Sequence, residues 1–316
     1  MTNKALVTGG CGFIGSHIVE LLLKNGWSVS VLDNLSSGSL ENIKDFRSDI
    51  ELLIGDVRDE EILNNALKDV KTVFHQAAFI SVPESELDPA ECYDVNIGGT
   101  IKIAKIAYKK GVEKIVFASS CAVYGDNKKI PLSENDTLNP LSPYAYSKMA
   151  GEAILKEISQ KTKINISVLR YFNIYGPRQN PNGRYAAVIS KFISDSLKRK
   201  KITIEGSGEQ TRDFTFVKDV ANANLLAANF FKKNYEIFNI CSSIETTINC
   251  LAEEVSKLTN GVEIVYVNGR KNDIQRSCGS VKKAQDLLGF EPSVKIREGL
   301  KLTFNNFKER EENEEK

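Results

Sequence analysis

Histidine and tryptophan are almost absent, with two and one among 316 residues. The six cysteines (Cys11, Cys92, Cys121, Cys241, Cys250, Cys278) are scattered and form no Cys-x-x-Cys. Together these scarcities argue against a zinc cluster and against a disulfide framework, so no metal ligand is assigned. No apolar run reaches eighteen residues, which leaves no candidate for a transmembrane helix. The N-terminus has no basic stretch leading into a cleavable apolar segment. Charge of one sign is missing too: 42 basic residues stand against 41 acidic ones, so no basic field points to nucleic acid. A soluble, cytoplasmic chain of one large or two ordinary domains is expected, with no internal repeat.

What is present begins at residue 4. Lys4–Thr8 is a short apolar run that reads as a buried strand. Gly9, Gly12 and Gly15 follow with Gly-x-x-Gly-x-x-Gly spacing, then an amphipathic helix from Ser16 to about Asn25. A second strand, Ser28–Leu32, ends at Asp33-Asn34. Glycines at that turn allow close approach of a pyrophosphate, which a helix N-terminus stabilises through its unpaired N–H groups. Asp33 falls where a carboxylate accepts hydrogen bonds from ribose hydroxyls, so the unit predicts dinucleotide binding.

The alternation goes on. Glu51–Ile54 closes at Gly55-Asp56-Val57, and Glu60–Lys68 reads as helix. Thr72–His75 runs into Gln76-Ala77-Ala78, Asp94–Lys110 has helical spacing, and Lys114–Ala118 runs into Ser119-Ser120. Strands separated by helices predict an α/β fold with a doubly wound parallel sheet, whose ligands sit beyond the carboxyl ends of the strands. Past Arg170 a Pro- and Gly-rich loop opens a second, smaller α/β region. The boundaries expected are 1–170 plus 214–240 for the nucleotide domain and 171–213 plus 241–316 for the substrate domain. From Lys308 the mixed-charge tail reads as frayed helix or disorder.

Tyr144 and Lys148 lie four apart in a helix running to about Gln160, and therefore on one face. An ammonium beside a phenol favours the phenolate and lowers its pKa, which yields a base that works near neutrality. Tyr146 is two residues from Lys148 and faces away from it.

Taken together, Thr8-Gly9-Gly10-Cys11-Gly12-Phe13-Ile14-Gly15-Ser16, Asp33-Asn34, Gly55-Asp56-Val57, Ser119-Ser120-x-x-Val123-Tyr124-Gly125 and Tyr144-x-x-x-Lys148 resemble the extended short-chain dehydrogenase/reductases. Arg170-Tyr171-Phe172-Asn173, Gly176-Pro177-Arg178, Thr211-Arg212-Asp213-Phe214 and Val217-x-Asp219-Val220 extend the likeness. Within that family the chain looks most like the UDP-glucose and UDP-N-acetylglucosamine 4-epimerases. The resemblance implies tightly held NAD, contacted by Gly9, Gly12, Phe13, Ile14, Gly15, Asp33, Asn34, Asp56, Val57, Ala77, Ala78, Asn96, Tyr144, Lys148 and Tyr171. It implies Tyr144 as base, Ser120 as hydrogen-bond partner of the sugar C4 oxygen, and Lys148 as holder of the nicotinamide ribose. Ser119 competes with Ser120 as a strand-end hydroxyl.

For the UDP-hexose the resemblance carries over to Asn173, Val188, Arg212, Arg270, Asp273 and Ser277. Arginine suits diphosphate because its planar fork donates paired hydrogen bonds. Arg212 alternatively forms an ion pair with Asp213. Ser277 occupies the position that gates the sugar C2 substituent, and a serine leaves room for an N-acetyl group. Cys121 stands where sugar-nucleotide dehydratases carry an acid, which sets dehydration aside. Gly279-Ser280 departs from the Ala-Asp usual in the family. Relatives pair through two nucleotide-domain helices, here Asn96–Lys109 and the Tyr144 helix, so a homodimer is expected. A UDP-glucuronate epimerase or decarboxylase, and a non-catalytic NAD- or nucleotide-sugar-binding regulator, stay open as alternatives.

Overall fold

The computed structural model describes residues 3–181, 187–259, 261–269 and 274–314. The first half alternates as β1 (Lys4–Thr8), α1 (Phe13–Lys24), β2 (Ser28–Asp33), β3 (Ile50–Ile54), α2 (Glu60–Ala66) and β4 (Thr72–His75). Two short helices follow, α3 (Val82–Leu87) and α4 (Pro89–Tyr93), then α5 (Gly99–Lys110), β5 (Lys114–Ser120), α6 (Pro143–Lys161) and β6 (Asn165–Tyr171). With the strand Tyr235–Ile240, these six strands make one seven-stranded sheet. Its order is Tyr235–Ile240, β6, β5, β4, β1, β2, β3, and every pairing is parallel.

Alternation along each strand divides the sheet's two faces between two cores. Ala5 and Val7 of β1, Phe74 of β4 and Val116 of β5 belong to one, where α1 and the helix Val217–Ala228 pack. Leu6, Val73, Ile115 and Phe117 belong to the other, under α2 and α5. Burial on both faces is what an all-parallel sheet requires. A third core gathers Ile189, Phe192, Ile193, Ile202, Phe216, Leu251 and Leu300 in the smaller region.

Several expectations shift. Asp94–Lys110 is not one regular helix: Asp94–Gly98 is a wider π-type turn leading into α5, and it carries Asn96 inward. The tail is not frayed among the described residues, because one helix runs Ile296–Glu314. Its buried Leu300, Thr303 and Phe307 recur at helical spacing and hold it down. Val281, Ala284, Leu288 and Phe290 pack into the core of the large sheet, against the strand Tyr235–Ile240. Among the described residues, no helix is long and apolar enough to cross a membrane, and no His, Cys, Asp and Glu group is arranged to hold a metal.

Candidate active site

A cleft opens beyond the carboxyl ends of β1, β2, β4 and β5. Its floor is the glycine turn. Gly9 has φ +69°, and a Cβ there would lie 2.8 Å from the Ala77 nitrogen. A Cβ on Gly15 would fall 2.0 Å from the Gly9 carbonyl oxygen, so the turn closes only with glycine at both places. Gly12 is the N-cap of α1 and no side chain caps the helix. The first turn, Phe13, Ile14 and Gly15, therefore faces the cleft with helix-terminal N–H groups.

At the far rim Asp33 is nearly buried and accepts from Cys11 N–H and Leu35 N–H, both at 2.8 Å. A carboxylate has about four acceptor positions, so acceptor capacity remains for a pair of hydroxyls. Asn34 donates to Asp56 at 3.0 Å. Arg58 clamps Asp56 from behind with Nε and Nη2, both at 2.9 Å, and holds its pKa down near 2. Val57, Ala77 and Ala78 complete this wall. Tyr171 lines the inner end, its hydroxyl held by Asn224 Nδ2 at 2.8 Å and donating toward Gln76. Glycine floor, uncapped helix end and acidic rim fit NAD on this chain's own geometry.

Asn96 stands behind the wall instead of on it. Its amide is spent on both backbone groups of Phe79 and on Ser147 Oγ, at 2.7, 3.0 and 2.8 Å. It ties the strand-end loop to α6 and so shapes the cleft without lining it. The histidines are structural. His75 lies between Thr8 Oγ1 and Thr100 Oγ1, and burial pushes it down to about 3. His17 meets the Pro177 carbonyl and is pushed down to about 4, again chiefly by burial.

At the inner end α6 begins with Ser142 as N-cap and Pro143 in its first turn, which sets Tyr144 over the cleft. The two serines separate here because neighbouring strand residues point to opposite faces. Ser119 lines the cleft and donates to the buried Glu152, whereas Ser120 lies close enough to Tyr144 to favour its ionised form. Lys148 Nζ donates to the Ala118 carbonyl at 2.9 Å and lies 5.9 Å from the Tyr144 ring centroid. Tyr146 is half exposed and takes no part.

The electrostatics differ from the sequence expectation. Burial pushes Tyr144 up to about 12, and the nearby Ser120 hydroxyl only partly opposes it. Burial also drives Lys148 down to about 8, with Cys92 and Glu152 pulling the other way. In the protein alone, desolvation of both groups outweighs any help the ammonium gives the phenol.

Asn173, Arg212 and Ser277 gather around the strand Thr211–Asp213. Arg212 and Ser277 are register partners in the parallel pairing of Thr211–Asp213 with Arg276–Ser277. Arg212 donates to the carbonyls of Thr211 and Ile274, and Asn173 donates to the Asp213 carbonyl at 2.8 Å. Asp213 is no surface partner for Arg212: it is fully buried and takes N–H groups from Ser242, Ser243 and Gly279. Burial pushes the Cys121 thiol up to about 11, so it stays neutral beside the site. Val188 opens the helix Val188–Leu197 and packs on the small core. Arg270 and Asp273 lie outside the described residues.

Residues 5–241 match the NAD dependent epimerase/dehydratase family. The chain belongs to that family. A Methanocaldococcus jannaschii protein provisionally described as UDP-glucose 4-epimerase is 43% identical, over 95% of this chain and 97% of the relative. A solved UDP-glucose 4-epimerase from Thermotoga maritima, with UDP-glucose, superposes with a TM-score of 0.92 at 39% identity, covering 97% of this chain and 99% of that one. A UDP-N-acetylglucosamine 4-epimerase from Methanobrevibacter ruminantium, in complex with UDP-N-acetylmuramic acid, gives 0.93 at 38%, covering 98% and 99%. A Thermus thermophilus UDP-glucose 4-epimerase solved with NAD gives 0.88 at 36%, covering 96% and 98%. The three solved structures share the fold of this epimerase/dehydratase chain.

The sequence reading passed over Glu152, Gln76, Asn224 and the hub role of Asp213. Only Glu152 left a signal, four residues beyond Lys148 on the buried face of α6.

Proposed function

We propose that the chain is a cytoplasmic, homodimeric, NAD-dependent 4-epimerase of UDP-hexoses. It interconverts UDP-glucose and UDP-galactose, and Ser277 leaves room for the N-acetylated pair. The observation that carries this reading is the placement of Tyr144 and Lys148 together at the inner end of a cleft fitted to a dinucleotide. One oxygen of a substrate placed there meets the Ser120 hydroxyl as donor and, once Tyr144 is ionised, a phenolate that accepts its proton.

Bound NAD supplies the acceptor, and then the donor, of the C4 hydride. Tyr144 takes the C4 hydroxyl proton as that hydride leaves and returns it when hydride comes back on the other sugar face. Ser120 donates to the C4 oxygen and steadies its developing charge. Lys148 orients the ribose and supplies positive charge beside the phenol. The cycle is redox-neutral, so no external reductant is consumed.

Arg212 and Asn173 flank the diphosphate and uracil end, with Arg270 and Asp273 assigned there by resemblance. Exposed Ile101 and Tyr108 on α5 and Tyr146 on α6 support pairing of two copies through those helices.

The test is proton NMR of purified protein incubated separately with UDP-galactose and UDP-N-acetylgalactosamine, without added reductant. Inversion at C4 of both supports the enzyme class and the roomy pocket. Inversion of the plain hexose alone keeps the class and removes the Ser277 argument. No change in either, in folded protein with NAD bound, overturns the reading, and uronates become the substrates to try. Light scattering tests the dimer.

A further inference from the structure

Asp213 has a carboxylate with no solvent contact and four close donors. Ser242 N–H at 2.8 Å and Ser242 Oγ at 2.6 Å reach one oxygen. Ser243 N–H at 3.0 Å and Gly279 N–H at 3.2 Å reach the other. Its own carbonyl takes the Asn173 side-chain amide. One residue thus joins the strand Thr211–Asp213, the turn that leaves the large sheet after Ile240, the segment after Ser277, and Asn173.

The strands being joined are too short to hold themselves. Thr211–Asp213 pairs with Arg276–Ser277 over two residues and with Glu245–Thr247 over three. Isolated pairs of that length are not stable in water. A buried carboxylate that accepts several N–H bonds is a strong substitute, because charge-assisted bonds are about twice as strong as neutral ones. The anchor then extends toward the catalytic helix. Leu132 N–H donates to the Cys278 carbonyl at 2.8 Å and Ser280 N–H to the Leu132 carbonyl at 2.7 Å. Leu132 lies on the segment between Tyr124 and Ser142, the N-cap of α6.

We infer that Asp213 is the positioning residue for the nucleotide-sugar half of the site: it fixes Arg212, Ser277 and Asn173 against the large sheet without touching substrate. The inference rests on the epimerase reading for the identity of the ligand. Ser120, Tyr144 and Lys148 are held chiefly by the sheet pairing of β5 and the N-cap of α6, which the hub reaches only through the Leu132 segment. Its loss therefore weakens grip on the nucleotide and spares the chemical step.

Asp213→Asn keeps the shape but turns one acceptor into a donor that faces N–H groups. UDP affinity by calorimetry should fall, and KM for the UDP-hexose rise, by at least about tenfold, the equivalent of one charge-assisted bond. The kcat should stay within about threefold, the signature of lost binding in ground and transition states alike. Bound NAD and the thermal midpoint are measured on the same samples. Ser242→Ala removes one donor only, and about a fivefold loss of UDP affinity is expected. Wild-type UDP affinity in both variants overturns the inference. So does an affinity loss matched by equal losses of NAD and thermal midpoint, which marks general unfolding. A wild-type chain that binds no UDP overturns the epimerase reading and this inference with it, whereas UDP binding that ignores Asp213 overturns the inference alone.

Discussion

Glu152 of α6 and Arg170 of β6 form a two-pronged ion pair, with contacts of 2.9 and 2.6 Å and side chains only 5% and 2% exposed. Arg170 also donates to Tyr124, whose hydroxyl bonds Asn239, and Glu152 accepts from Ser119 beside Ser120. Buried pairs are costly to assemble and costlier to break, since one charge is stranded. Glu152→Gln should destabilise the fold by about 3–5 kcal/mol, read as a lower urea midpoint. Replacing both partners with apolar residues of similar volume should recover most of that loss. A single variant as stable as wild type would refute the account.

Lys114 is the opposite case. It is fully buried at the start of β5, donating to Ser167 Oγ and the Phe230 carbonyl, and its amine lies 5.2 Å from the Phe231 ring centroid. Those described partners include no carboxylate, and burial pushes its pKa down to about 7. Below pH 7 folded and unfolded chains both hold the proton, so the burial penalty is fully present. Between about 7 and 10.5 the unfolded chain holds more protons, and stability rises with pH. Each pH unit of depression is equivalent to about 1.4 kcal/mol. Lys114→Met should therefore stabilise the protein at pH 6.5, by an amount that shrinks at pH 9.5. Urea titrations at both values decide it, and a pH-independent difference argues against a charged Lys114.

Tyr144→Phe removes the proton acceptor and little else. Turnover should fall by about 10²–10⁴, the usual contribution of a general base, with UDP-sugar affinity nearly unchanged. Wild-type turnover in that variant moves the base elsewhere.

Ser277→Tyr places a ring beside the Arg212 strand. Epimerisation of UDP-N-acetylgalactosamine should be lost while that of UDP-galactose persists. Equal retention of both, measured by NMR, removes the gate.

Gly279 shows why this chain departs from the family pattern there. A Cβ would lie 2.8 Å from both Cys241 Sγ and Phe172 Cζ. Gly279→Ala should therefore cost about 1–3 kcal/mol by overpacking, seen as a lower thermal midpoint. An unchanged midpoint means the neighbours yield freely.

The glycine turn, Asp33, Tyr144 with Lys148, and the order of strands and helices were all legible in the sequence. Each is written in residues near one another in the chain, where turn chemistry and period-2 or helical spacing act directly. The contact of Ser119 with Glu152 was not, because it depends on which face of β5 meets a residue 33 positions away. Tyr144's raised pKa, Lys114's missing counter-charge and Asp213's four donors depend likewise on burial among segments distant in the chain. Desolvation and hydrogen-bond satisfaction are properties of a packed interior. Local pattern specified the parts and their order, while tertiary packing decided which polar groups left water and what met them there.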